Sequence, residues 1–181
     1  MNANDIRIRR VPEAEAHGLV EALADVLVDC VEGGASVGFM LPLSRERALA
    51  FWRGVADGVA RGERILLVAE DAQGVVGTVQ VVTALPDNQP HRGDVAKMLV
   101  RRRVRRRGVA QRLLEAAEAE ARREGRSVLV LDAVTDGDAA RLYARAGWQR
   151  VGDIPMYALM PAGGYCSTTY FYRHLGADPV T

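Results

Sequence analysis

The amino-acid sequence predicts a single α/β domain built on a mixed sheet. Three observations carry this expectation. The chain has 181 residues, 49% of them hydrophobic, which is enough for one sizeable core and too apolar for a disordered chain. Apolar residues recur with period two in some segments and with a helical period in others, in the order β-α-α-β-β-β-α-β-α-β-β. No repeat and no long Gly/Ser or Pro tract divides the chain, so residues 1–181 read as one domain.

The first strand, residues 5–11, alternates Ile6 and Ile8 with arginines. Residues 14–31 place Leu19, Val20, Leu23, Val26, Leu27 and Val31 on one helical face, and Gly33-Gly34 ends that helix. Residues 33–40 read as an irregular loop. Ser44 is the expected N-cap of a second helix over 45–61, with Gly62 just beyond its end. Strands at 64–70 and 75–83 flank Asp71-Ala72-Gln73-Gly74, a hairpin turn. A loop with Pro86 and Pro90 leads to a strand over 94–100. The arginine-rich stretch 101–108 follows, then a helix Val109–Arg123, apolar at Val109, Leu113, Leu114, Ala117 and Ala121 and closed by Gly125. Val128–Val134 is nearly continuous in apolar residues, the pattern of a strand buried on both faces. A short helix over 138–146 stops at Gly147, and a short strand follows at 148–151. Residues 155–166 read mostly as loop, before a last aromatic strand at 168–173.

Composition excludes several classes. Lys+Arg 24 against Asp+Glu 23 leaves a net charge of +1, which argues against a general coat for nucleic acid or a membrane surface. No apolar run approaches the ~18–20 residues that span a bilayer. Residues 1–10 carry charges with no apolar stretch behind them, unlike a signal peptide. Cys30 and Cys166 could form at most one bridge, so both are read as reduced thiols of a cytoplasmic protein. No His, Cys and carboxylate cluster has zinc spacing, and no metal is expected. The charge is nonetheless uneven: six arginines fall within 101–107, and Lys97 is the one lysine.

That arginine run carries the chemistry. Gly108 lets backbone approach a ligand closely because it has no Cβ. The helix after it offers unpaired N–H groups and a positive dipole end, and the preceding arginines add forked donors suited to phosphate oxygens. The arrangement is a pyrophosphate seat. It has neither the GK[ST] of a P-loop nor the three-glycine dinucleotide fingerprint. A solvated basic face is the bland alternative. A nucleic-acid contact would predict steep salt dependence, and no aromatic residue interleaves the run to stack bases.

Arg105-Arg106-Arg107-Gly108-Val109-Ala110 resembles the Gln/Arg-x-x-Gly-x-Gly/Ala signature of the GCN5-related N-acetyltransferases (GNAT). It lies where that family places it, between its fourth strand and third helix. Ala140-Arg141-Leu142-Tyr143-Ala144-Arg145-Ala146-Gly147-Trp148 is similar to a second segment of the family, A-x-x-L/F-Y-x-x-x-G-F/W. The resemblance covers residues 6 to 175. It implies an α+β type of α/β fold, with a mixed, mostly antiparallel twisted sheet and helices on both faces. It also implies acetyl-CoA as cosubstrate and an N-acetyltransferase activity by direct transfer. Within the family the chain looks most like the tabtoxin-resistance acetyltransferases, through residues 33–40, 151–157 and 168–172. Those enzymes acetylate a small, amino-acid-like toxin, so a small-molecule amine is the expected acceptor and a homodimer is plausible by the same resemblance. Rival readings are an acetyltransferase for protein amines and a CoA-binding module without catalysis.

The resemblance further implies roles for individual residues. Backbone of Met98, Leu99 and Val100 would pair with the pantetheine arm, one N–H serving the oxyanion. Arg103, Arg105, Arg106, Arg107, Gly108, Val109, Ala110, Gln111 and Arg112 would contact the pyrophosphate. Tyr143 is the candidate general acid, its ordinary pKa of ~10 set against ~8.5 for a thiol, with a packing role behind Trp148 as the alternative. Asp94 opens the strand that would hold acetyl-CoA, where many relatives carry a glutamate. Asp132 interrupts an otherwise apolar strand, and a buried unpaired carboxylate is costly. Either is a candidate base or amine-binding group. An amine of pKa ~10.4 offered to a carboxylate of ~3.9 faces ~6.5 units, about 9 kcal/mol. The carboxylates are therefore expected to form an acidic pocket that binds the ammonium, to act through water, or to have raised pKa values. Ser36, Phe39 and Met40 line the acceptor side or belong to the core. His91 is read as a surface-loop residue rather than a relay, and Trp52, Tyr157, Tyr165, Tyr170 and Tyr172 as packing residues or cover for a dimer surface.

Overall fold

A computed structural model describes residues 6–176; the parts of the expectations that fall on residues 1–5 and 177–181 lie outside the described residues. The elements are β1 (Arg7–Arg10), a 3-10 stretch (Glu13–Leu19), α1 (Val20–Glu32), α2 (Arg45–Ala60), β2 (Arg64–Asp71), β3 (Gly74–Val82) and β4 (Arg92–Val100). A 3-10 turn (Arg102–Val104) follows, then α3 (Val109–Arg123), β5 (Val128–Val134), α4 (Asp138–Arg145), β6 (Gln149–Leu159) and β7 (Tyr165–His174). The strands form one seven-stranded sheet in the order β1-β2-β3-β4-β5-β7-β6. Only β4 and β5 run parallel; the other pairs are antiparallel.

Strand alternation divides the apolar side chains between two cores. Leu66, Val68, Val75 and Leu99 pack under α1 and α2 together with the fully buried Trp52. Ile65, Leu67, Ala69, Val79, Val81, Leu129 and Leu131 pack under α3 and α4. The Ser44 hydroxyl caps α2 by accepting from the Arg47 N–H at 3.2 Å, as its position predicts. A buried carboxylate, Glu118, ties α3 to the entrance of β6 by accepting from Trp148 Nε1 at 2.9 Å, and Arg173 Nε lies 3.3 Å from its second oxygen.

Three expectations need correction. The helix expected over 14–31 opens as a 3-10 stretch and becomes α-helical only at Val20, after Gly18, a residue that weakens a helix interior. β5 is not buried on both faces. Leu129 and Leu131 are buried toward α3 and α4, while Asp132 is exposed, because α1 and α2 cover β2 and β3 and leave the front of β5 open. The doubly buried strands are instead β2 and β3. Residues 155–166 are mostly strand rather than loop. β6 runs to Leu159, and Pro155 is tolerated because β6 is an edge strand whose pairing shifts register between Ile154 and Ala158. No helix among the described residues is long and apolar enough to cross a membrane.

Candidate active site

The cleft begins where β4 and β5 part. They pair only from Arg92 to Asp94, opposite Val128 to Val130. Immediately afterwards β4 changes register against β3. Thr78 faces Leu99 and Gln80 faces Ala96, so Lys97 and Met98 together stand opposite Val79. Lys97 takes a φ of 51° to accommodate this bulge, which bends the strand. β5 meanwhile continues along β7. The β5-side edge of β4 at Met98, Leu99 and Val100 is thereby left facing a cleft instead of a strand.

At the end of β4 the arginine run divides into two groups. Arg101 Nη2 lies 3.7 Å from Asp25, and the Arg102 backbone N–H and Nε both bind Asp29, at 2.8 and 2.9 Å. Arg103 grips Asp71 with two hydrogen bonds of 2.6 and 3.0 Å and holds that carboxyl below the usual range. These three fasten the loop to α1 and to the β2–β3 hairpin. Arg105 donates from Nε to the Val100 carbonyl at 3.1 Å. Arg106 is left-handed at φ 61°, and Arg106 and Arg107 are exposed before Gly108. Gly108 is the N-cap of α3 at φ 75°, and a Cβ there would meet nothing within 4 Å. Open space and a left-handed backbone together leave the helix N-terminus uncovered at this point. Val109 is buried in the core, Ala110 is half-buried, Gln111 donates to Glu115 at 2.8 Å, and Arg112 donates to the Ile6 carbonyl at 2.8 Å.

On the face of β4, β5 and β7 left open by α1 and α2, the two candidate carboxylates come together. Asp94 pairs with Arg92 at 2.5 Å; burial raises its pKa, as does the Asp132 charge, while Arg92 opposes the shift. Asp132 accepts from the Thr168 hydroxyl at 2.9 Å. The fully buried, unpaired Asp132 that would have been costly is therefore absent: this carboxylate is exposed and hydrogen-bonded. Beside it the Tyr170 and Tyr157 hydroxyls meet at 2.9 Å. That bond, with burial and the nearby carboxylates, pushes the Tyr170 phenol up to about 12. Lys97 projects toward α2, its Nζ 5.5 Å from the Phe51 ring centroid. Thr168, Tyr170, Lys97 and Phe51 were not singled out for this face by the sequence reading, although the 168/170/172 alternation carries the signal for the first two.

Tyr143 is 4% exposed on α4 and packs between Trp148 and Phe171, at centroid distances of 5.9 and 6.0 Å. Burial, reinforced by the Asp132 charge, raises its pKa, so its hydroxyl stays protonated. Full proton transfer to a thiolate of ordinary pKa ~8.5 is then uphill, and hydrogen-bond donation is the chemistry this phenol can offer.

The 33–43 segment closes the far side. The Ser36 hydroxyl donates to the Leu159 carbonyl at 3.3 Å, and the Leu41 N–H to Pro161 at 2.9 Å. Phe39 stacks edge-on against Phe51 at 5.3 Å, and Met40 is exposed. His91 is exposed in the turn before β4, where only its carbonyl is engaged, by Ser127 and Val128. Cys30 and Cys166 are free thiols. Among the described residues no group of three or more His, Cys, Asp or Glu is placed to hold a metal.

A cleft with an arginine-flanked helix N-terminus at one end and carboxylates at the other has the chemistry to suit a group-transfer enzyme that joins a phosphate-bearing donor to an amine. Comparison with known proteins specifies the class. The acetyltransferase (GNAT) domain profile matches residues 62–150. An uncharacterized N-acetyltransferase from the hisH-hisA intergenic region of Azospirillum brasilense is 32% identical over 130 residues, 71% of this chain and 75% of that protein. A Salmonella typhimurium protein solved with its cofactor acetyl-CoA superposes with a TM-score of 0.76 at 18% identity, covering 98% of both chains. The ribosomal-protein-alanine N-acetyltransferase of Brucella melitensis gives 0.73 at 22%, covering 93% of this chain and 99% of that one. The chain belongs to the GNAT acetyltransferase family, and it is an acetyl-CoA-dependent N-acetyltransferase of that type.

Proposed function

We propose that the enzyme transfers acetyl directly to the amine of a small molecule. The observation that carries this reading is the parting of β4 from β5 beside Asp94 and Asp132, which sets an exposed strand edge next to an acidic face. The fastening of the 33–43 segment to the β6–β7 turn walls the acceptor side and favours a compact substrate over a protein segment. The structural neighbours, at 18% and 22% identity, share the fold, and the acceptor preference lies in this chain's own side chains. The finer resemblance to tabtoxin-resistance enzymes belongs to the same proposal, as do a cytoplasmic location and a homodimer.

In this reading acetyl-CoA supplies the activated acetyl group. Arg105, Arg106, Arg107, Gly108 and the first turn of α3 hold its pyrophosphate, and backbone of Met98, Leu99 and Val100 holds the pantetheine arm. Asp94 and Asp132 attract the acceptor ammonium, and the amine that reacts has first lost a proton toward this face or to water. Its lone pair forms the new C–N bond as the C–S bond breaks, and the extra proton left on the nitrogen passes, directly or through water, to the departing thiolate, giving the amide and the free thiol. A β4 backbone N–H takes the charge that grows on the carbonyl oxygen, and the Tyr143 hydroxyl donates to the departing sulfur. Arg103 and Arg112 are engaged elsewhere in the fold and have supporting roles.

Thiol release from acetyl-CoA tests the proposal, run with and without a panel of amino-acid-like amines, tabtoxinine-type compounds and aminoglycosides. Amine-dependent release with a small acceptor is expected; release only with peptides or protein N-termini overturns the small-molecule reading. Tyr143→Phe should lower kcat about 100-fold or more with little change in Tm, since the ring still packs on Trp148 and Phe171. An unchanged kcat would make Tyr143 a packing residue.

A further inference from the structure

We propose that Lys97 reads a carboxylate on the acceptor, so that the preferred substrates carry an anionic group beside the amine that is acetylated; this rests on the small-molecule reading above. Lys97 is the one lysine among 24 basic residues, and it occupies the β4 bulge at φ 51°, a conformation that costs a side-chain-bearing residue strain. The bulge turns it onto the open face. Its Nζ lies over Phe51 and 3.8 Å from where a Cβ on Gly38 would stand, against the wall of the acceptor cleft.

The surrounding charges make this ammonium unusual. Arg92 is committed to Asp94, and Arg47 sits 5.7 Å over the Phe39 ring. Lys97 has the Phe51 ring and enters none of the ion pairs among the described residues. Burial lowers its pKa, and the Asp132 charge, acting at longer range, opposes that shift. A half-buried ammonium without a contacting anion gains more from an incoming carboxylate than a solvated surface lysine does. The open face therefore offers two complementary poles. Asp132 and Asp94 suit the ammonium of an amino acid, and Lys97 suits its carboxylate. The Phe39–Phe51 pair supplies an apolar wall between the loop and α2.

Matched pairs of acceptors test this directly: L-ornithine against putrescine, L-histidine against histamine, and L-tyrosine against tyramine, with thiol release as the readout. The wild-type enzyme should show kcat/KM at least tenfold higher for the carboxylate-bearing members. Lys97→Met should collapse that ratio toward one, chiefly through KM of the acceptor, with KM for acetyl-CoA unchanged; Lys97→Arg should retain most of it. Equal rates within the wild-type pairs, or a ratio unaltered in Lys97→Met, overturn the proposal. If Lys97 only balances the two aspartates, the substitution shifts both members of each pair equally, which also overturns it. Calorimetric titration of CoA-saturated protein with N-acetyl-L-tyrosine and N-acetyltyramine provides a readout independent of turnover. The carboxylate-bearing compound should bind at least tenfold more tightly to wild type and lose that advantage in Lys97→Met. Absence of thiol release with every amine would overturn the proposed function, whereas the titration would still decide the role of Lys97.

Discussion

The two ends of the cleft are built in different ways. The proposed phosphate end comes from one continuous stretch, from Val100 through the arginine loop to the first turn of α3, braced against Asp25, Asp29 and Asp71. The proposed acceptor end is assembled from distant pieces: Asp94 and Lys97 of β4, Asp132 of β5, Thr168 and Tyr170 of β7, and the 33–43 segment. A local site depends on backbone conformation and capping. An assembled site depends on register, and its chemistry changes when one strand contributes a different side chain.

This contrast can be broken at either end, and the largest effect is expected at the phosphate end. Gly108→Val places a β-branched residue at φ 75°, a strain of about 1–3 kcal/mol. If the loop relaxes out of its binding shape, KM for acetyl-CoA should rise about 5- to 150-fold at about 1.4 kcal/mol per tenfold, with acceptor KM hardly moved. Steady-state kinetics with each substrate varied in turn checks it; equal changes in both would mean the ends are not separable.

At the acceptor end, Asp132→Asn should lower kcat/KM for the amine about tenfold while leaving acetyl-CoA KM unchanged, the scale of one lost charge-assisted contact. A wild-type rate for every amine tested would remove Asp132 from the acceptor site. A smaller effect sharpens the division within the arginine run. Arg105→Ala should weaken acetyl-CoA binding several-fold, whereas Arg103→Ala should change it less than about twofold and cost stability of about 1 kcal/mol or less as its pair with Asp71 is lost. Comparable KM changes in both variants would show that Arg103 reaches the phosphate.

The smallest effect concerns pH. The folded pKa of Asp94 is raised, so its ionised form is disfavoured in the native state. Its contribution to stability is present below the unfolded carboxyl value and is lost as pH rises through the folded value. Asp94→Asn should therefore match wild type near pH 3.5 and melt slightly higher near pH 7. The gain should stay within about 1 kcal/mol, because the side chain is 38% exposed and the substitution weakens the contact with Arg92. Melting curves at the two pH values decide it; a lower Tm at pH 7 would mean that the Arg92 pair outweighs burial.

Much of the fold is legible in the sequence because its signals are local. α3 follows from its apolar face and glycine entry, α2 from the Ser44 cap, and the β2–β3 hairpin from its turn. β6 was obscured because Pro155 normally ends a strand, and only its edge position in the sheet makes it acceptable. β5 misled for a related reason: a run of apolar residues reports hydrophobicity without saying which face a neighbour covers. The glycine entry to α3 was readable from the spacing around Gly108, but the pairing of Arg101, Arg102 and Arg103 with Asp25, Asp29 and Asp71 was not.

By itself the sequence determined the class of fold, the element order and the glycine entry of α3 behind its arginine run, since each rests on residues close together along the chain. The tertiary structure alone decided where β4 leaves β5, that Asp132 is exposed on the same face as Asp94, and that Lys97 stands at a bulge with no contacting anion among the described residues. Those facts depend on strand register and on which faces the helices leave bare. Both arise from packing between segments far apart along the chain, such as Asp29 in α1 and Arg102 after β4, 73 residues away, whose ion pair no local pattern encodes.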